Sequence, residues 1–149
     1  MLKTQTKICI NDSVNVASRA GDFVDILHLG QSDMHPVNAK SFINDRIKIG
    51  LSITKESQTR NIPACVSYIG VGPIYKTNSK NDAEKPIGET ILKQILEKVH
   101  IPVVAIGGIN LNNVSNLFSL GVSGVAVISN ILNNENIVLI ECYICEACV

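Results

Sequence analysis

The sequence contains no tryptophan, and aromatic residues make up only 4% of its 149 residues. Hydrophobic residues nevertheless account for 46% of the chain, so its apolar content is almost entirely aliphatic. An aliphatic composition of this kind is typical of α/β proteins and argues against an aromatic-rich binding surface. The length suits one domain with its own hydrophobic core, and we therefore predict that residues 1–149 form a single domain.

An excess of charge of either sign is also lacking, because 13 Lys and Arg residues balance 13 Asp and Glu residues. This balance argues against general attraction to nucleic acid or to anionic lipid. No apolar run approaches the ~18 residues that a membrane span requires. The first residues, MLKTQ, lack the apolar core of a signal peptide. We therefore expect a cytoplasmic protein without nucleic-acid or membrane partners, in which local groups would bind any anion.

The five cysteines are an odd number and suggest no disulfide framework. Cys9 and Cys65 lie in apolar, strand-like runs, so we predict that both are small buried hydrophobic residues. Cys142, Cys145 and Cys148 have C-x-x-C-x-x-C spacing, which is part of an iron–sulfur pattern. Because no fourth ligand follows, we favour a divergent tail over residues 132–149 rather than a metal site.

Short aliphatic runs alternate with amphipathic stretches along the chain. Helical spacing of apolar residues is clearest from residue 88 to residue 99, with Lys and Glu on the other face. The pattern predicts strands at 7–10, 25–29, 48–53, 65–71, 102–106 and 124–128, and helices at 13–20, 36–42, 54–61, 88–99 and 111–120. Strands that are apolar on both faces and separated by helices indicate a parallel sheet covered by helices. The fold class is therefore α/β, either a doubly wound sheet or a barrel.

Both architectures place the functional site at the carboxyl ends of the strands. Asp12 and Asp33 follow two successive predicted strands, and two carboxylates at this edge could share a Mg²⁺ ion that completes its shell with water and phosphate oxygens. Asn11, beside Asp12, could bind a polar ring edge. The alternative is that each Asp caps the helix that follows it.

Two later loops have the composition of a phosphate site. Gly107 and Gly108 follow a strand and precede a helix predicted to begin near Asn110, and Ser129 follows the next strand. Glycines let a phosphate oxygen approach backbone N–H groups, although a Gly-Gly pair can also be only a tight turn.

A third loop is cationic and hydroxyl-rich. The stretch KTNSK at 76–80 follows an apolar strand and could bind phosphate oxygens, whereas solvated lysines are the simpler interpretation. Ser52 ends the third strand at the same edge. His28 lies within an apolar strand, and we predict a core residue there rather than a catalyst.

Taken together, these loops resemble the thiamine-phosphate synthase family. The resemblance covers residues 7–131 and rests on six motifs in the order and at about the spacing of that family. They are IND at 10–12, HLGQSDM at 28–34, YIGVGPIY at 68–75, TNSK at 77–80, PVVAIGGIN at 102–110 and GVAVIS at 124–129. The resemblance implies a TIM-barrel fold of the (β/α)8 type and a role in thiamine biosynthesis.

The resemblance also implies a reaction and a set of site residues. The family joins hydroxymethylpyrimidine diphosphate to thiazole phosphate carboxylate, which gives thiamine phosphate, CO₂ and diphosphate. By the resemblance, Asp12 and Asp33 are the Mg²⁺ ligands, and Asn11, Ser52 and Lys80 contact the pyrimidine diphosphate. Lys80 and Ser52 are the candidate catalytic residues. The thiazole phosphate site would comprise Thr77, Asn78, Ser79, Gly108, Ile128 and Ser129.

The sequence also departs from the family pattern. About six strand–helix units are present where a barrel has eight, and the first two units of the family have no counterpart. A diphosphate-binding motif of the family's second strand is missing with them. Open sheet edges near Ile8 and Val127 would favour self-association, or a second chain that completes the barrel. An inactive truncated fragment and a thiazole tautomerase-like isomerase are therefore the alternatives to the transferase.

Overall fold

A computed structural model defines residues 6–77 and 85–128. These residues fall into two compact units, the first of 6–52 with Ile62–Ser67 and the second of Ile53–Asn61 with 68–77 and 85–128. Within this part of the chain, no helix is long and apolar enough to cross a membrane. The tail at 132–149, with its three cysteines, lies outside the described residues.

The first unit alternates strands and helices in chain order. Its elements are β1 (Cys9–Asn11), α1 (Val14–Ala20), a 3₁₀ turn (Gly21–Phe23), β2 (Ile26–Leu29), α2 (Pro36–Lys40) and β3 (Lys48–Ile53), of which the last residue belongs to the second unit. The strands are parallel, with Cys9 opposite Ile26 and Leu29 opposite Leu51. Side chains from β2 and β3 form the core of this unit, including Leu27, Leu29, Ile49 and Leu51.

The second unit repeats the alternation. Its elements are a 3₁₀ turn (Glu56–Asn61), β4 (Val66–Val71, of which the first two residues belong to the first unit), α3 (Gly88–Leu96), β5 (Val103–Ile106), α4 (Val114–Leu120) and β6 (Gly124–Ala126). The parallel register sets Ile69 opposite Val103 and Ile106 opposite Ala126. The core contains Ile69, Val71, Leu92, Ile95, Val103, Ala105 and Leu117.

Strand order within each unit decides between the two predicted architectures. In both units each strand neighbours the next one along the chain, β1–β2–β3 and β4–β5–β6. A doubly wound sheet reverses its strand order at a switch point, whereas a (β/α)8 barrel keeps sequential order. The observed order within each unit is therefore that of the barrel.

All predicted strands and four of the five helices are present; β3 has the predicted bounds and the other elements have shifted ends. The predicted helix at 54–61 is a 3₁₀ turn over Glu56–Asn61. Lys98, just after α3, forms an ion pair with Glu56 and so ties this turn to the end of α3. The hydrogen bond from Lys98 and its charge lower the pKa of Glu56. The helix predicted from residue 111 begins at Val114, because Asn113 Oδ1 accepts a hydrogen bond from the Asn110 amide and holds 110–113 in a turn.

The prediction for the two strand cysteines is wrong. Cys9 is exposed and Cys65 is half-buried. Cys9 lies on β1, which pairs only with β2 among the described strands, so that its other edge has no neighbour to cover it. Cys65 precedes β4 in a turn, where the chain has not yet entered the core.

Candidate functional site

The first group of candidate residues lies where β1, β2 and β3 end. Asn11 is the last residue of β1 and Asp12 follows it, and both side chains are exposed. The loop after β2 contains Gln31 and Asp33, and Ser52 is the penultimate residue of β3. Parallel register directs all three strand ends to one edge of the first unit.

Asp12 adopts an unusual backbone conformation. Its φ is 65°, in the left-handed region, and its amide donates a 2.8 Å hydrogen bond to the His28 carbonyl. Asp tolerates this region better than most residues, yet the conformation still costs about 1 kcal/mol. The predicted alternative, a helix cap, is wrong for Asp12: the cap of α1 is Ser13, whose Oγ accepts from the Val16 amide at 3.3 Å. Strained residues of this kind concentrate at functional sites.

Asp33 stabilises its own loop instead of a helix. Its Oδ2 accepts a 2.6 Å hydrogen bond from the Gly30 amide, and a Cβ added to Gly30 would lie 3.0 Å from that oxygen. The helix that follows, α2, begins after His35, which makes no side-chain cap bond. The cap alternative is therefore wrong for Asp33 too, although one of its oxygens is already engaged.

Ser52 is held by two side chains, those of His28 and Gln31, to which the sequence analysis gave no role in the site. Its Oγ lies 2.9 Å from Nε2 of His28, and its carbonyl accepts a 2.6 Å hydrogen bond from Nε2 of Gln31. His28 is half-buried and bonded through its imidazole, so the prediction of a plain core residue missed its polar role. The register explains the pairing, because Gly50 lies opposite His28 and Ser52 follows two residues later, where side chains point the same way.

The carboxylates of Asp12 and Asp33 have the chemistry of magnesium ligands, because Mg²⁺ prefers oxygen donors. No group of three His, Cys, Asp or Glu side chains that could hold a metal occurs between residues 6 and 77 or between 85 and 128. Two carboxylates fit Mg²⁺ bound in the way that it usually binds beside phosphorylated substrates, with water and phosphate oxygens in the remaining positions. The donor set thus suits a metal that arrives with a substrate.

The second group of candidate residues surrounds the end of β5, in the second unit. The chain leaves β4 through a cis Gly72–Pro73 bond and then follows the end of β5. The Ile74 amide donates to the Ile106 carbonyl at 2.8 Å, and the Tyr75 amide donates to the Gly107 carbonyl at 3.0 Å. The loops after β4 and β5 are therefore joined backbone to backbone.

Gly107 and Gly108 are required by this close approach. Both have positive φ, 98° and 65°. A Cβ on Gly107 would lie 2.5 Å from Pro73 Cβ, and one on Gly108 would lie 2.6 Å from the Lys76 carbonyl oxygen. The tight-turn interpretation is thus correct for the geometry, and it leaves the phosphate interpretation open. Because α4 begins only at Val114 and has seven residues, its N-terminus does not adjoin the glycines as the sequence predicted.

The remaining predicted residues lie in the loops after β4 and β6 or outside the described residues. Thr77 is half-buried in the loop after β4, Lys76 beside it is exposed, and Ile128 is 49% exposed after β6. Four predicted residues lie outside the part of the chain that the structure describes: Asn78, Ser79, Lys80 and Ser129.

Tyr75 and Glu89 form a contact that sequence reasoning missed. The Tyr75 hydroxyl donates a 2.5 Å hydrogen bond to Oε1 of Glu89, in the first turn of α3. Burial of the phenol is the larger cause and the bond to a carboxylate the smaller one, and together they raise the pKa of Tyr75 to about 12. The only signal in the sequence was a tyrosine directly after the Gly-Pro-Ile turn.

Comparisons with known proteins agree with this architecture. The family model described as thiamine monophosphate synthase matches residues 1–131. The thiamine-phosphate synthase of Staphylococcus saprophyticus is 42% identical over 130 residues, which cover 86% of this chain and 60% of that protein. The thiamine-phosphate synthase of Clostridium novyi is 39% identical over 136 residues, covering 91% of this chain and 66% of that protein.

A solved structure gives the same result at the level of the fold. Thiamine phosphate pyrophosphorylase from Pyrococcus furiosus superposes with a TM-score of 0.76 at 32% identity, covering 89% of this chain and 62% of that one. This similarity confirms the predicted fold class, a TIM barrel of which only part is present. The chain spans about 60% of the length of the curated relatives that it matches. By the match over residues 1–131 and by these identities, the chain belongs to the thiamine monophosphate synthase family.

Proposed function

We propose that this chain carries active-site residues of a thiamine-phosphate synthase, a Mg²⁺-dependent transferase of thiamine biosynthesis that acts in the cytoplasm. Its substrates would be hydroxymethylpyrimidine diphosphate and thiazole phosphate carboxylate. The observation that carries the proposal is the strained Asp12, whose amide is bonded to His28 while the His28 imidazole is bonded to Ser52. Backbone strain and a shared hydrogen-bond network at the strand ends support a site for binding or catalysis there.

The diphosphate half of the site would consist of Asn11, Ser52 and Lys80, with Asp12 and Asp33 as metal ligands. A bound Mg²⁺ would supply positive charge to the diphosphate oxygens. The His28 and Gln31 side chains fix both polar groups of Ser52, so its hydroxyl is held in place before substrate arrives. Preorganised donors of this kind stabilise a developing charge without a cost of reorganisation.

The reaction would break the carbon–oxygen bond between the pyrimidine methylene and the diphosphate, and the electron pair would leave with the diphosphate. The Lys80 ammonium would offset that negative charge as it grows. The thiazole nitrogen would then donate its lone pair to the electron-poor methylene carbon, which forms the new carbon–nitrogen bond. Loss of CO₂ leaves an electron pair on the ring carbon, which takes up a proton. No protein nucleophile is needed.

The thiazole phosphate would bind in the second unit, at Gly108 with Thr77, Asn78, Ser79, Ile128 and Ser129. The positive φ values of Gly107 and Gly108, which form a tight turn directly after β5, support this assignment. Backbone N–H groups of such glycine turns bind phosphate oxygens in many proteins.

The test is an assay of the purified chain with both substrates and Mg²⁺, in which thiamine phosphate is followed by its oxidised fluorescence. We expect product that depends on Mg²⁺ and that is lost in Asp33→Asn and Lys80→Met. Asp33→Asn keeps an oxygen for the Gly30 amide and removes the charge, so its loss of activity would reflect charge rather than loop geometry. Asp45→Asn is the control, because Asp45 is a fully exposed carboxylate of the first unit.

The same assay separates the alternatives. An isomerase of the tautomerase type would convert the thiazole substrate and ignore the pyrimidine diphosphate. A folded chain that converts neither substrate would contradict the transferase proposal and would identify an inactive fragment of the family.

We further propose that a second polypeptide covers the open edge of β1 by adding a parallel strand and its helix. The exposure of this edge supports the proposal: Ile8 is 51% exposed beside β1, and Val16 on α1 is 48% exposed. Unpaired strand edges with apolar neighbours favour association. The relatives are longer than the part that this chain matches, which is 60% of the S. saprophyticus protein and 62% of the P. furiosus protein.

Light scattering with and without the part of the S. saprophyticus protein that this chain does not cover would test the edge proposal. We expect a one-to-one complex that Ile8→Lys and Val16→Lys weaken and that Val37→Lys, on exposed α2, leaves intact. Self-association of the chain alone would assign the edge to a second copy instead. A monomer that ignores the added segment would contradict the proposal.

A further inference from the structure

The loop after β4 returns to α3 in the second unit, and hydrogen bonds hold its two ends together. The Ile87 amide donates to the Pro73 carbonyl at 2.9 Å, and the Gly88 amide donates to the Ile74 carbonyl at 3.1 Å. These bonds place the first residues of α3 against the segment that leaves β4. The N-terminus of α3 is therefore fixed to the β4 loop through the backbone of both.

Tyr75 lies at the point where three segments meet. Its amide is bonded to the Gly107 carbonyl, and its Cβ would lie 2.8 Å from a Cβ added to Gly108. Its hydroxyl reaches in the other direction, to Glu89 on α3 at 2.5 Å. One residue thus contacts the β5 loop through its backbone and α3 through its side chain.

The Tyr75–Glu89 bond is strong for a side-chain contact, because its acceptor is a carboxylate and the bond is partly buried. Hydrogen bonds to charged groups are shorter and roughly twice as strong as neutral ones. The bonds from the Ile87 and Gly88 amides join the same two segments through the backbone, and the Tyr75–Glu89 bond joins them through side chains.

We propose that Tyr75 and Glu89 are positioning residues for the phosphate cradle formed by Gly108 and Thr77. By tying α3 to the β4 loop, the pair sets how closely the Lys76 carbonyl, directly before Thr77, lies against Gly108. The ligand is the phosphate monoester of the thiazole substrate, and this inference rests on the proposed function in that respect. Neither Tyr75 nor Glu89 touches the reacting atoms.

The test compares four variants of the chain. Tyr75→Phe keeps the ring and removes the donor, whereas Glu89→Ala removes the acceptor. Glu89→Gln keeps an oxygen that accepts from the phenol and serves as the conservative rescue. Glu97→Ala removes an exposed carboxylate at the other end of α3 and serves as the control.

We expect Tyr75→Phe and Glu89→Ala each to raise KM for the thiazole phosphate about tenfold, because displacement of the loop would cost about one hydrogen bond to the charged phosphate. The kcat should stay within about twofold, because the pair acts on binding in both ground and transition states. Glu89→Gln and Glu97→Ala should keep the KM of the unmodified chain. The double variant Tyr75→Phe/Glu89→Ala should be no worse than either single variant, since the two residues act through one bond.

A purely structural role would lower the melting temperature and leave KM unchanged, and that outcome would overturn the inference while the proposed function stands. If the unmodified chain makes no product, inorganic phosphate is titrated instead and the amide shifts of Gly107 and Gly108 are followed by NMR. The same order of affinities among the variants would then support the positioning role and refute the transferase. No phosphate-dependent shift in the inactive chain would overturn both.

Discussion

Oγ of Ser52 lies 2.9 Å from Nε2 of His28, on the neighbouring parallel strand. The backbone carbonyl of His28 also accepts a hydrogen bond from the amide of the strained Asp12. One histidine therefore links a candidate metal ligand to a candidate catalytic hydroxyl. This link lies within the first unit and needs no bound ligand to form.

The His28–Ser52 bond predicts a measurable coupling between the two residues. His28→Ala and Ser52→Ala should each lower the free energy of unfolding, and the double variant should lower it by less than the sum, with a coupling of about 1 kcal/mol for one side-chain hydrogen bond. Denaturant unfolding of the unmodified chain, the two single variants and the double variant measures this double-mutant cycle. His28→Ala paired with Ser18→Ala, an exposed serine on α1, is the control and should be additive.

The glycines of the second unit predict a graded loss of stability. Gly108→Ala combines a φ of 65° with overlap at 2.6 Å, so we expect a loss of at least about 3 kcal/mol from strain and overpacking together. Gly121→Ala has a φ of 104° but nothing within 4 Å of the added Cβ, so it should cost only about 1 kcal/mol. Denaturant midpoints at constant m-value give both numbers. Equal losses at the two sites would show that the Gly108 overlap relaxes freely.

Two substitutions of Asp33 distinguish the effect of its hydrogen bond on the loop from the effect of its negative charge. Asp33→Ala removes the acceptor of the Gly30 amide and should lower the free energy of unfolding by about 1–3 kcal/mol, because the partly buried Gly30 N–H then lacks its hydrogen-bond partner. Asp33→Asn retains an acceptor and should recover most of the loss. Thermal unfolding without metal measures both variants. If Asn were as destabilising as Ala, the negative charge itself would stabilise the loop.

Tyr75 predicts a pH dependence at high pH. Its pKa of about 12 in the folded chain exceeds the ordinary value of 10.0, so the folded state favours the protonated phenol. The resulting stabilisation is fully present below pH 10.0 and is lost as the pH rises towards about 12. Tyrosinate absorbance of the chain minus that of Tyr75→Phe isolates the titration. A difference curve centred near the ordinary value would contradict burial of the hydroxyl.

The Glu89 carboxylate should contribute to that raised pKa. In Glu89→Gln the phenol keeps a neutral acceptor but loses the neighbouring negative charge, so the Tyr75 titration should move towards its ordinary value without reaching it. Glu97→Ala should leave the curve unchanged. A titration that does not move in Glu89→Gln would assign the whole shift to burial.

Element order and type were largely predictable because their signals are local. Apolar runs, glycine stops and the helical spacing of Leu92 and Ile95 lie within one turn or one strand, so a short window of sequence contains them. Element ends were less predictable: Asn113 turns the chain before α4 through a bond to Asn110, and the open edge of β1 leaves Cys9 exposed. Both depend on neighbours that a hydrophobic pattern does not record.

The sequence by itself determined an aliphatic α/β chain, the alternation of strands and helices along it and the motifs that resemble thiamine-phosphate synthase. Only the tertiary structure decided which side chains meet. Ser52 and His28 are 24 residues apart, and Tyr75 and Glu89 are 14 apart. Contacts over such separations depend on strand register and on the path of the connecting loops, which arise from packing of the whole unit. The local pattern around each residue could not specify them.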